Sequence, residues 1–155
     1  HEYFINFRIW NLDEEKSAKE FNKKVFDKIN ETFETNINID EVYKEKPKNI
    51  RIARKIFFNF DEYFSWPSLE NEIVSKTGFC YGLDSHFGIL VNGDVIPCCL
   101  DQNACVKLGN TNSTQIEDIL NSKRVKDIQK GFKNNILVEE LCQKCEYRTR
   151  FDKKD

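Results

Sequence analysis

The sequence predicts an α+β chain in two parts. Residues 1–75 read as a strand–helix–strand unit, and residues 76–155 as a small domain with a β-hairpin and short helices. Three observations predict this. In the first part apolar residues alternate, then recur at helical spacing, then alternate again. In the second part Asn92-Gly93 sits between two short alternating runs, the strongest short-range hairpin signal. Four cysteines, Cys80, Cys98, Cys142 and Cys145, also fall in the second part, at spacings that suit metal binding.

The elements follow in order. Residues 3–10 predict a strand with Ile5, Phe7 and Ile9 on one face and Asn6, Arg8 and Trp10 on the other. The second face suits either a barrel interior or solvent. Asn11 or Asp13 can cap the next helix, and Asp13, Glu14 and Glu15 suit its positive end. Ala18, Phe21, Val25, Phe26, Ile29 and Phe33 make one apolar stripe on a helix over about residues 13–33. The polar stretch 34–49 predicts a loop with room for one short element. Residues 50–58 predict a second strand with a bulge near Lys55. Strand, helix and strand in that order imply a parallel crossover, the end of a larger α/β sheet or the edge of a barrel.

In the second part His86–Val91 and Asp94–Pro97 flank the Asn-Gly pair. A two-residue turn pairs Val91 with Asp94, Ile89 with Ile96 and Phe87 with Cys98, and carries Cys98 back toward Cys80. Thr114 and Glu117 form a capping box for a short helix through Leu120. Ser122 caps the next helix, with Val125, Ile128 and Phe132 inward. Residues 137–141 make a last turn that delivers Cys142 and Cys145, and the tail Asp152–Asp155 is expected to fray.

Composition narrows the function classes. The chain has 155 residues, long enough for a real core, and aromatics at 13% supply it. Twenty-four basic against 26 acidic residues leave a net charge of −2, which argues against a nucleic-acid partner. No apolar run approaches membrane-spanning length, so no membrane partner is expected. The chain starts at His1 and contains no Met, which reads as a piece of a longer protein with His1 a tag remnant. Six cysteines without a secretory signal point to the reducing cytosol and a cytoplasmic protein.

Cys80 is followed by twelve residues, Gly93, four residues and Cys98; a long gap then leads to Cys142-Gln-Lys-Cys145. A redox CxxC of the thioredoxin type belongs at the start of a helix after a strand, whereas this pair follows a helix, so ligation is the reading. Four thiolates from two distant segments can hold zinc or an iron–sulfur cluster. One CxxC, where zinc ribbons usually bring two, lowers zinc. Cys99 reads as a buried structural thiol with a spare ligand as the alternative, Cys105 as a free loop thiol, and His86 as a strand-surface histidine that could serve as fourth ligand if one cysteine dropped out. A structural zinc module that binds a protein or peptide partner, and a disulfide-stapled domain, are the competing classes.

With those residues in view, the chain resembles the C-terminal part of radical SAM enzymes that carry a SPASM or twitch domain. The resemblance rests on Cys80, Gly93-Asp-Val-Ile-Pro-Cys98, Leu108-Gly-Asn110, the helical stretch Ile116–Phe132 and Leu141-Cys-Gln-Lys-Cys145, about half the chain. Residues 1–75 are similar, more weakly, to the closing strand–helix–strand of the radical SAM partial barrel, through Phe7–Leu12 and Trp66–Leu69. The full pattern places further cysteines after the CxxC, but Phe stands at 151 and none follows Cys145, so a twitch-like version with one auxiliary 4Fe–4S cluster is implied. Its ligands would be Cys80, Cys98, Cys142 and Cys145, with zinc a possible substitute in an isolated fragment exposed to air. The CxxxCxxC motif of the SAM-cleaving cluster is missing, so S-adenosylmethionine belongs to the full-length parent and these residues are not expected to be active alone. The resemblance implies an oxidoreductase with an electron donor and a peptide, protein or small-molecule substrate.

Overall fold

A computed structural model describes residues 3–12 and 16–152. The expected capping role of Asp13, the acidic residues 14–15, His1 and the tail beyond Asp152 lie outside the described residues. The chain divides into two compact units, His1–Tyr63 and Phe64–Asp155, where the sequence expectation put the boundary at 75/76. The α+β class holds in both. No helix among the described residues is long and apolar enough to cross a membrane.

In the first unit, strand β1 (Ile5–Ile9) leads to helix α1 (Lys16–Phe33), helix α2 (Ile39–Glu45), strand β2 (Asn49–Ala53) and strand β3 (Ile56–Phe60). The sheet order is β1-β3-β2, with β1 and β3 parallel, so the predicted crossover is present. The single predicted strand 50–58 is instead a hairpin: β2 and β3 run antiparallel, with an irregular register between Arg51 and Ala53. Arg51 holds this reversal by donating from its side chain to the carbonyls of Ala53 and Arg54, at 3.2 and 2.6 Å. The shift in alternation was therefore a turn.

Phe26, Phe58 and Phe60 centre the core, with ring centroids 4.7–5.9 Å apart. Ile9, Leu12, Ile29, Val42 and Ile52 pack around them. The α1 stripe departs from expectation at one place: Phe21 is 64% exposed and Asn22 only 3%. Asn22 tolerates burial because its amide donates to Asn11 Oδ1 at 3.0 Å and to the Tyr43 hydroxyl at 2.9 Å. Helix α2 is the short element in the polar stretch. Asn38 caps it by accepting from the Asp40 N–H at 2.9 Å, and Lys46 in the left-handed region ends it before Pro47.

The second unit carries strands β4 (Gly88–Ile89), β5 (Asp94–Ile96) and β6 (Gly109–Asn110), in antiparallel order β4-β5-β6. Helices α3 (Ile116–Leu120), α4 (Lys123–Lys133) and α5 (Glu140–Gln143) follow, then a 3-10 helix over Tyr147–Phe151. The hairpin forms, but its register differs by one residue: Ile89 faces Val95 and Gly88 faces Ile96. The loop has three residues. Gly93 N–H closes a turn onto the Leu90 carbonyl at 2.8 Å, and Gly93 takes φ +86°. A type I turn followed by a left-handed glycine is a common three-residue hairpin connection, and here it outcompetes the two-residue form. Asn110 and Asn112 lock it by donating to the Asn92 carbonyl, each at 3.0 Å.

Two further details refine the helices. Ser122 caps α4 as predicted, accepting from the Val125 N–H, and Val125, Ile128 and Phe132 are buried. The Thr114 capping box does not form. Gln115 occupies the cap of α3 without a side-chain bond, because Thr114 N–H is taken by the Asn110 carbonyl in the preceding turn.

Candidate metal centre

Three segments of the second unit bring the predicted cysteines together. Cys80 lies in the irregular segment ahead of the turn that precedes β4, and Cys98 just after β5. Cys142 sits in α5, and Cys145 just after it. All four line one cavity of about 70 Å³. Pro67, Pro97, Leu100, Leu141, Tyr147 and Phe151 supply apolar wall, and Arg148 the charged one. Among the described residues no three His, Cys, Asp or Glu side chains are grouped as a single metal ion requires.

Each segment is held by bonds the sequence hides. The Cys80 turn is pinned from α4, where Gln129 donates to the Leu83 carbonyl at 2.7 Å. Gly82 matters here: an added Cβ would stand 3.1 Å from the Pro97 carbonyl and 3.7 Å from Cys80 Sγ. Cys98 leads into a loop tied by Asp101, which is 1% exposed. Its carboxylate accepts from the Cys105 and Val106 N–H groups at 2.7 and 2.8 Å. The segment leading into α5 is fixed by a forked ion pair, Arg124 to Glu139, with both bonds 2.8 Å. The CxxC loop is also gripped by residues before Cys80: Val74 and Ser75 donate to the Gln143 carbonyl, Lys144 to the Leu69 carbonyl, and Ser65 to Glu146. Cys80 and Cys142 pack against the core of Leu83, Val106, Val125, Ile128 and Phe132.

The electrostatics are those of half-buried thiols that feel one another. Burial pushes Cys80 up, while the N–H groups of Gly82 and Tyr81 and the charge of Arg148 pull down. The Gly82 N–H lies 3.4 Å from the sulfur. Cys98 is pushed from 9.0 to about 11, first by burial and then by Cys80 and Cys145, against the Leu100 N–H. Cys145 is raised by burial and Cys80, and drawn back by the backbone N–H of Arg148, the backbone N–H of Tyr147 and the charge of Arg148. Cys142 is raised most, by burial and then by all three other thiols.

Cys99 is exposed rather than buried and reaches the cavity wall, because the chain turns sharply after Cys98 (Asp101 N–H to the Cys98 carbonyl, 3.2 Å) instead of staying extended. Cys105 is a free, exposed thiol, as expected. His86 is exposed and outside β4, bonded to Ser85, yet it also lines the cavity. Asn6, Arg8 and Trp10 are exposed, with the Arg8 guanidinium 5.0 Å from the Trp10 ring centroid. Sequence reasoning missed Arg148 and Asp101. Neither belongs to a motif, and only burial marks them.

Residues 80–146 match the family model SPASM, an iron-sulfur cluster-binding domain. This segment is similar to SPASM domains. The SPASM match runs from Cys80 to just past Cys145, so it contains all four cavity cysteines. No curated protein and no solved structure matches the chain.

Proposed function

We propose that this chain is the C-terminal region of a radical SAM oxidoreductase and holds one auxiliary 4Fe–4S cluster through Cys80, Cys98, Cys142 and Cys145. The observation that carries the reading is that four thiols, all within the SPASM match, line one cavity. Its room, about 70 Å³, compares with about 10–15 Å³ for a single water, and so suits a group of several atoms. The donor set fits as well. Three of the sulfurs have backbone N–H groups directed at them, and such donors favour thiolate over thiol. Buried Arg148 has an Nε without a partner among the described residues, a donor that an anionic group would satisfy.

The four thiols lose their protons on ligation, and their raised pKa values mean that a cationic core must offset the charge. When bound, an iron–sulfur cluster supplies one-electron transfer or an iron site for substrate. The chain's own residues do the rest. Gly82 and Tyr81 orient the Cys80 sulfur, the proline, leucine and aromatic walls limit water, and Arg148 supplies positive charge. The parent enzyme would provide the SAM-cleaving cluster, an electron donor and the site for a peptide, protein side chain or small molecule.

The test is iron, acid-labile sulfide and zinc measured on protein purified without oxygen. Matched iron and sulfide with brown colour is the expected result. Zinc alone, unchanged after anaerobic reconstitution with iron and sulfide, would overturn the reading in favour of a structural module that binds a protein or peptide partner.

A further inference from the structure

Arg148 lies just beyond the SPASM match, in the 3-10 helix that follows the CxxC. Its side chain is 3% exposed and lines the same cavity as the four cysteines. Nη1 donates to Asp152 at 2.8 Å, while Nε is buried with no partner among the described residues. The Asp152 carboxylate meets the guanidinium at Nη1, and the buried Nε donor is left for a second acceptor, since an unanswered buried donor is unfavourable. The fold makes room for this group on purpose of packing: an added Cβ at Gly78 would overlap Arg148 Nη1, and Gly78 takes φ +145°. The charge of Arg148 is felt at Cys80 and at Cys145, on two of the three ligand segments.

We propose that the Arg148 guanidinium is the charge partner of the cluster and raises its reduction potential, an inference that rests on the cluster reading above. An oxidised cluster with four thiolates is a net anion, and one added electron makes it more negative. A buried cation therefore favours the reduced form, and a hydrogen bond to sulfur acts in the same direction. Arg148 acts through the cluster and is a positioning residue for charge.

The experiment is a redox titration of the wild type, Arg148→Gln and Arg148→Lys with a chemical reductant, after anaerobic reconstitution and with iron and sulfide measured on each. The expected result is equal iron and sulfide, with the midpoint of Arg148→Gln lower by about 59 mV, a tenfold change in a one-electron equilibrium. Arg148→Lys keeps the charge and is expected to fall less. A loaded Arg148→Gln with unchanged midpoint, or a fall in Arg148→Lys equal to that of Arg148→Gln, overturns the inference and leaves the cluster reading standing. A wild type that takes up no iron and sulfide overturns both. Should Arg148→Gln not fold, Gly78→Ala, which must displace Nη1, carries the test: a lowered midpoint supports the inference and an unchanged one overturns it.

Discussion

Single residues in the cavity set both its ligand chemistry and its pH response. Burial and then the other three thiols push Cys142 well above the ordinary thiol range, so it depends strongly on a cationic partner. Cys142→Ser is expected to lose the bound iron and sulfide while the far-UV circular dichroism of the metal-free chain stays as it was. Cys98 gives a pH prediction for the metal-free protein. Its folded pKa, about 11, lies above the ordinary 9.0. Between those values the unfolded chain sheds a proton that the folded chain keeps. The contribution to stability is therefore complete below about pH 9 and is lost as pH rises toward about 11. Urea unfolding at pH 8 and pH 10 should show the lower midpoint at pH 10, and a flat profile would contradict it. Asp101 is the residue to test for the loop after Cys98. Asp101→Ala strands two N–H groups and is expected to cost about 1–3 kcal/mol in the same assay.

Among the elements, the hairpin decides how Cys98 meets Cys80. Its loop works only with a residue at ease at φ +86°, and an added Cβ at Gly93 would stand 2.6 Å from Asn112 Nδ2 and 2.9 Å from Asn110 Oδ1. Gly93→Ala is expected to destabilise the second unit by about 1–3 kcal/mol, read from a shift in its denaturant midpoint. The register difference is instructive. Alternation and an Asn-Gly pair announce a hairpin, but the loop length depends on contacts from Asn110 and Asn112, which are distant in sequence. The same holds at Arg51, whose side chain turns a predicted strand into two. Helices were more legible, because spacing at three and four residues reports a buried face directly. The exception, Asn22 for Phe21, needed the partners Asn11 and Tyr43 to be in place.

Across the whole molecule, two separate cores set what a bound group can stabilise. One is built on Phe26 and Phe58, the other on Val125, Ile128 and Phe132 behind Cys80 and Cys142. A ligand that binds only the folded state stabilises what it touches. Removing iron with a chelator is expected to speed hydrogen exchange at β5, α4 and α5 while the amides of β3 hold their protection. Equal loss in both units would contradict this.

The sequence by itself determined the α+β class, the parallel crossover, the Asn-Gly hairpin and the four cysteines of the SPASM segment, because periodicity and spacing are local and are written in residue order. Tertiary structure alone decided the hairpin register, the split of the second strand, the exposure of Cys99 and the placing of Arg148 beside the thiols. Those outcomes depend on which distant groups share a buried volume. A lone arginine carries no pattern, and only the low dielectric around it makes its charge matter.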